Sequence, residues 1–211
     1  MIRFLSVLTF CFFIFTNVST AQATTNENTI LILGDSLSAG YQMKPQQAWP
    51  HLLSQQLDEQ NLNTRIINAS VSGDTTGNGL ARINTLLELH KPNWVVIELG
   101  ANDGLRGFPP SRIQSNLSAL ITQSQAGGAE VILMQIRIPP NYGKKYNQLF
   151  NNLYPRLADE FDIPLIPFFL EQVIVKPEWM MNDGLHPKAE AQPWIANYIG
   201  EQILPFIKTA S

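Results

Sequence analysis

Thr29-Ile30-Leu31-Ile32-Leu33, followed at once by Gly34-Asp35-Ser36-Leu37-Ser38, is the stretch whose reading decides the fold. Apolar side chains stand at consecutive rather than alternate positions, the pattern of a strand covered on both faces, as in a parallel sheet. Similar runs rich in Val, Ile and Leu recur at residues 64–68, 94–99, 130–136 and 163–166. Between them apolar residues return at helical spacing. Leu80, Ile83, Leu86 and Leu87 share one face, as do Ile113, Leu117, Leu120 and Ile121, and then Tyr146, Leu149, Phe150, Leu153 and Leu157. Residues 49–57 and 193–207 supply two outer helices. This alternation predicts an α/β fold, a three-layer α/β/α sandwich around a five-stranded parallel sheet with flavodoxin-like strand order. In such sheets ligands bind beyond the carboxyl ends of the strands. Four polar motifs fall at those ends: Gly34-Asp35-Ser36, Ser72-Gly73-Asp74, Gly100-Ala101-Asn102-Asp103 and Asp183-Gly184-Leu185-His186. They are expected to converge on one edge of the sheet.

Residues 1–23 read as a secretory signal peptide. Arg3 precedes an apolar stretch at residues 4–15, and Ala21-Gln22-Ala23 offers a small-x-small cleavage site. The stretch is shorter than the ~20 residues a membrane span needs. Residues 24–211 then make one domain, long enough to bury a sizeable core. Cys11 is the single cysteine and lies in the leader, so the exported chain has no disulfide and no thiolate nucleophile or ligand. The formal net charge is −3, and Lys and Arg are scattered rather than clustered, which argues against nucleic acid as a partner. No repeat, run of like charge or second long apolar stretch occurs, so no stable membrane anchor is expected. The product is read as a soluble, exported, monomeric protein.

Ser36 stands where a strand turns toward a helix, so its hydroxyl can face solvent while backbone N–H groups point at developing negative charge. The same position also suits a serine that acts only as a helix N-cap. A hydroxyl needs a neighbouring base to attack, and three histidines are available. His51 falls within the first outer helix, and His90 ends the next one before Lys91-Pro92, where a cation suits the helix dipole. His186 differs, because the Asp183 carboxylate three residues earlier can fold onto its Nδ1 and leave Nε2 to take a proton from Ser36. The plainer reading is a turn capped by Asp183 with His186 on the surface. An acyl-transfer intermediate also needs preorganised donors for its oxyanion, and Ser36 N–H, Gly73 N–H and the Asn102 amide are the candidates. Gly and Asn favour turns for their own sake, so it is the shared position at strand ends that lifts the set above its parts.

Other catalytic patterns are missing: there is no G-x-S-x-G, S-x-x-K, H-E-x-x-H or G-x-x-x-x-G-K-[ST]. Scattered histidines and the absence of thiolates argue against a zinc site, while carboxylate-rich calcium or magnesium sites stay open.

Gly34-Asp35-Ser36-Leu37, Gly73, Gly100-x-Asn102-Asp103 and Asp183-x-x-His186 resemble the four motif blocks of the SGNH (GDSL) hydrolases. The similarity runs from about Thr29 to the C-terminus. It includes the flanking residues through Tyr41, from Glu98 to Phe108, and Asn141-Tyr142-Gly143, where it is similar to a branch of periplasmic acyl-CoA thioesterases, lysophospholipases and arylesterases. The resemblance implies that Ser36 is the nucleophile, His186 the base, Asp183 its orienting acid, and Ser36, Gly73 and Asn102 the oxyanion hole. It further implies a flavodoxin-like sheet, a periplasmic location, and hydrolysis of thioesters, lysophospholipids and aryl or short-chain esters without a cofactor. One departure stands out: this chain has Gly100-Ala101-Asn102-Asp103 where that branch has Gly-Gly-Asn-Asp.

The expected partner is therefore a small-molecule or lipid ester. Leu105, Phe108, Pro109, Ile138 and Tyr142, with Pro139, Pro140, Met180 and Met181, supply apolar side chains for an acyl-chain groove; ordinary loop packing is the alternative for each. By resemblance, residues 104–109 form a loop that closes over acyl chains. Two other functions compete: a carbohydrate O-acetylesterase on the same triad, and a noncatalytic flavodoxin-like binding module, for which Thr75-Thr76-Gly77-Asn78 offers a faint phosphate-loop pattern.

Overall fold

The run at residues 29–33 becomes an interior strand of the sheet, flanked by a strand on each side, and because side chains alternate across it both of its faces are covered. Ile30 and Ile32 point into one apolar cluster and Leu31 and Leu33 into the other, all four fully buried. The structure is a computed structural model that describes residues 27–207; the expected signal peptide at residues 1–23 lies outside the described residues.

In chain order the elements are β1 (Asn28–Gly34), α1 (Ser36–Ala39), α2 (Trp49–Glu59), β2 (Thr64–Asn68), α3 (Thr76–His90), β3 (Trp94–Glu98), α4 (Ala101–Leu105), α5 (Pro110–Ala126), β4 (Glu130–Met134), α6 (Lys144–Asn151), α7 (Leu153–Phe161), β5 (Leu165–Ile166), α8 (Leu170–Val173) and α9 (Gln192–Ile207), with short 3-10 turns between some of them. The sheet order is β2-β1-β3-β4-β5, and every pairing is parallel. This is the expected flavodoxin-like arrangement. Because the order reverses at β1, a crevice opens beyond its carboxyl end.

The two helical layers follow from the apolar stripes. Trp49, Leu53 and Leu57 of α2 and Ile195, Ile199 and Ile203 of α9 cover one face. Ile83 and Leu87 of α3, Ile113, Leu117 and Leu120 of α5 and Leu153 and Leu157 of α7 cover the other. Each such side chain, fully buried, contributes roughly 1.5–3 kcal/mol relative to exposure.

Three expectations need correction. The pattern at residues 146–157 is not one helix. It breaks at Asn152 because Pro155, in the first turn of α7, has no N–H and its ring would clash with the carbonyl one turn back. Leu149 is 49 % exposed, and the fully buried Tyr154 takes the place it was given on the core face. The final strand is only Leu165–Ile166, because Pro164 cannot donate to a ladder; its carbonyl still accepts from Leu133 N–H at 3.0 Å. With so short a neighbour, β4 ends at Met134 rather than at residue 136.

Candidate active site

At the carboxyl end of β1 the chain turns abruptly into α1, and Asp35 makes the turn. Its Oδ1 accepts the Leu37 N–H at 3.1 Å and so caps the helix, which leaves Ser36 as the first helical residue, its N–H without an intrahelical partner. The cap at this turn is therefore Asp35 and not Ser36. Asp35 is fully buried, and burial pushes its carboxyl up to about 6.

A second buried carboxyl lies beneath it. Glu98, the last residue of β3, accepts the Ser38 hydroxyl at 2.8 Å and the Asp35 N–H at 3.3 Å through Oε2. Burial, and then the adjacent Asp35 charge, hold it well above the usual carboxylate range. Glu98 is the one charged residue in the otherwise apolar run at residues 94–99, but nothing local to it pointed to Ser38 and Asp35 as its partners.

His186 reaches the turn from the opposite side. Its Nε2 lies 2.8 Å from Ser36 Oγ and its Nδ1 2.7 Å from Asp183 Oδ2. The loop that carries both residues is stapled locally: Asp183 Oδ1 accepts the Leu185 and His186 N–H groups at 2.9 and 3.0 Å, Met181 N–H donates to the His186 carbonyl at 2.8 Å, and Met180 bridges Pro187. Partial burial would raise the Asp183 carboxyl, but the hydrogen bonds from His186 and from these backbone N–H groups prevail and hold it down to about 2. His51 and His90 lie on α2 and at the end of α3, with no bond to this chain of contacts.

The remaining motifs close around Ser36. Val71 to Asp74 is a turn closed by Asp74 N–H to the Val71 carbonyl at 3.1 Å, with Gly73 at the third position and φ 88. That backbone conformation, characteristic of a type II turn, is what calls for glycine; the space where a Cβ would sit is open. The Gly73 carbonyl accepts Arg106 Nη2 at 3.1 Å, and its N–H makes no hydrogen bond among the described residues. Asn102 sits in the first turn of α4 and gives its amide to the Asp74 carbonyl at 2.9 Å and to Asp35 Oδ2 at 3.2 Å. Its neighbour Asp103 is fully buried and anchors α4 to the start of α3, accepting the Thr76 N–H at 2.8 Å and hydroxyl at 2.6 Å. Gly100 is fixed by close approach as well as by its φ of 123, since a Cβ there would collide with the Tyr154 hydroxyl.

Beside Ser36, Asn102 and His186 opens a solvent-connected cleft of about 210 Å³. Of the residues proposed for an acyl-chain groove, Leu105, Ile138 and Pro139 lie in its wall, and so does Ala101, the position at which the motif departs from the related branch. Phe108, Pro109 and Tyr142 are not among its lining residues. They hold the loop from behind: Tyr142 donates its hydroxyl to the Leu105 carbonyl at 2.8 Å, Tyr146 donates to the Phe108 carbonyl at 2.6 Å, and the Arg112 guanidinium lies 4.8 Å over the Phe108 ring. Pro109 precedes α5, and Met180 is core. In their place Leu37, Phe168, Leu170 and Leu185 complete the apolar wall, with Arg137 the one cation in it. Phe168 and Leu170 follow the end of β5, where the rule of carboxyl-end binding would have pointed.

Among the described residues no three His, Cys, Asp or Glu side chains converge as metal ligands, and no helix is long and apolar enough to cross a membrane. The arrangement is a hydroxyl, an imidazole and an ionised carboxylate in series, beside free and oriented N–H groups, at the mouth of an apolar cleft.

Comparison with known proteins agrees with that chemistry. The profile of the GDSL-like Lipase/Acylhydrolase family matches residues 32–192. An arylesterase from Vibrio mimicus is 55% identical over 205 residues, 97% of this chain and 98% of the relative. The thioesterase 1/protease 1/lysophospholipase L1 of Escherichia coli K12 is 52% identical over 180 residues, 85% of each. The crystal structure of the psychrotrophic esterase EstA from Pseudoalteromonas sp., inhibited by monoethylphosphonate, superposes with a TM-score of 0.84 at 44% identity, covering 86% of this chain and 99% of that one. This chain belongs to the GDSL-like Lipase/Acylhydrolase family.

Proposed function

We propose that this protein is a serine hydrolase that cleaves carboxylic esters and thioesters through an acyl-enzyme on Ser36. The observation that carries the proposal is the unbroken hydrogen-bonded series Ser36 Oγ, His186 Nε2, His186 Nδ1, Asp183 Oδ2, with links of 2.8 and 2.7 Å. His186 takes the Ser36 proton as Oγ attacks the carbonyl carbon, and the ionised Asp183 steadies the imidazolium that forms. The oxyanion meets the Ser36 and Gly73 N–H groups and takes the Asn102 N–H now given to Asp35 at 3.2 Å. His186 returns the proton to the leaving oxygen or sulfur; it then activates water, which releases the acid and frees Ser36.

The substrates are small-molecule or lipid esters: aryl and short-chain esters, acyl thioesters and lysophospholipids, with the acyl chain against Leu105 and Ile138. The relatives named arylesterase and thioesterase 1/protease 1/lysophospholipase L1 support this range. The same reading takes residues 1–23 as a leader removed on export to the periplasm, and residues 24–211 as a single domain acting as a monomer.

Hydrolysis of p-nitrophenyl esters of increasing chain length by wild type, Ser36→Ala and folded His186→Ala tests the proposal. Turnover by wild type with both variants at background supports it, and the chain-length profile separates a lipid acyl hydrolase from an acetylesterase. Full activity in Ser36→Ala refutes the assignment of the nucleophile.

A further inference from the structure

His186 is held at both ring nitrogens, by Asp183 at 2.7 Å and by Ser36 at 2.8 Å. Hydrogen bonds at imidazole nitrogens lie in the plane of the ring. Two of them leave one freedom, a tilt about the line joining the nitrogens. That tilt would swing the Nε2 lone pair away from the serine proton.

A third contact opposes it. The Tyr41 ring is stacked on the His186 ring, with centroids 4.2 Å apart and planes 30° apart. Tyr41 comes from the nucleophile's own turn: Gly40, at φ 77, ends α1, and the Tyr41 N–H donates to the Ser36 carbonyl at 3.3 Å. A closed circuit thus runs from Ser36 Oγ to the imidazole, from imidazole face to tyrosine face, and from the Tyr41 backbone to Ser36. The Tyr41 hydroxyl makes no hydrogen bond among the described residues, and Tyr41 is not in the wall of the cleft. The ring face is what it offers.

We propose that Tyr41 is a positioning residue for the base, a plate that fixes the tilt of His186 and favours the cation formed as Ser36 surrenders its proton. The inference rests on the acyl-transfer reading of Ser36 and His186. Stacking orients the neutral ring, and the aromatic face attracts the imidazolium more strongly than the neutral imidazole, so the additional gain falls on the transition state. The effect is therefore on kcat, with little on substrate binding.

The test compares wild type, Tyr41→Leu, Tyr41→Met and Tyr41→Phe on p-nitrophenyl butyrate, each also in a His186→Ala background, with the thermal midpoint of every variant recorded. Tyr41→Leu, or Tyr41→Met if the first does not fold, lowers kcat roughly tenfold with KM within about twofold, and Tyr41→Phe keeps kcat within about threefold. In the His186→Ala background the same replacements cause no further loss. Wild-type kcat in the folded Leu or Met variant, an equal loss in Tyr41→Phe, or an equal loss with and without His186 overturns the proposal. Failure of the underlying reading is seen separately: His186→Ala alone then keeps the wild-type rate.

Discussion

The turn that carries Ser36 and the loop that carries His186 meet at one hydrogen bond, yet one is built around carboxyl groups sealed from water and the other around a carboxylate at the surface. Asp35 is fully buried, whereas the Asp183 side chain is 39% exposed. The same side chain is pushed up to about 6 in the first setting and held down to about 2 in the second. Burial dominates for Asp35, because its hydrogen bonds from Leu37 and Asn102 do not compensate for lost water. Donated hydrogen bonds dominate for Asp183, because water still reaches it. The rigid, costly turn fixes where the nucleophile stands, and the exposed loop keeps a permanent charge behind the base.

Removing that charge gives the largest effect. Asp183→Asn keeps the shape of the loop but takes away the anion that holds the Nδ1 proton and faces the imidazolium, so kcat for p-nitrophenyl butyrate falls by ~10²–10⁴. Near-wild-type kcat in Asp183→Asn would mean that the carboxylate only staples its loop.

Asn102→Ala comes next. It strips the amide that joins the buried turn to the Asp74 carbonyl, and steady-state kinetics should show kcat down by ~10²–10³ with KM little changed. A rise in KM alone would place Asn102 in substrate binding instead.

The smallest effect is on stability, and there the two regions differ in sign. Glu98 is raised in the folded state, so folding costs stability that appears as pH climbs past its ordinary value of 4.5. Glu98→Gln removes this cost and raises the unfolding free energy at pH 7, a gain that fades toward pH 4. Asp183 is lowered, so its contribution is complete above about pH 4 and is lost as pH falls toward about 2. Denaturant melts across pH should therefore show Glu98→Gln flattening the neutral limb and Asp183→Asn flattening the acid limb. The reverse assignment would contradict the electrostatic account.

Legibility from sequence followed the same division. The Asp183 to His186 loop makes its bonds over two or three residues, so its spacing alone suggested the pair. The buried turn is tied down over 60 residues or more, through Ser38 to Glu98 and Asp35 to Glu98, and the glutamate that ends the apolar strand gives no local sign of which partners it meets. The two covered faces of the sheet were readable because consecutive apolar residues can be buried only between two layers, and the strand order was expected from the alternation of strands with helices. The helix break at Asn152 was readable in Pro155 but was masked by the continuing stripe, and Leu149 was placed inward by counting where Tyr154 packs instead. The cleft wall was half legible: Leu105 and Ile138 lie in it, while Phe108 and Tyr142 buttress it through contacts that no periodicity reveals.

The central claim is that the buried turn supplies a nucleophile which the exposed loop activates. Its most direct measurement is intact-mass and peptide analysis of the protein after reaction with a fluorophosphonate, for wild type and for folded His186→Ala. The account predicts one adduct per chain in wild type, located on Ser36, with esterase activity lost in proportion, and labelling in His186→Ala slower by orders of magnitude. An adduct on another residue, undiminished hydrolysis by fully labelled protein, or equal labelling rates in the two proteins would contradict it.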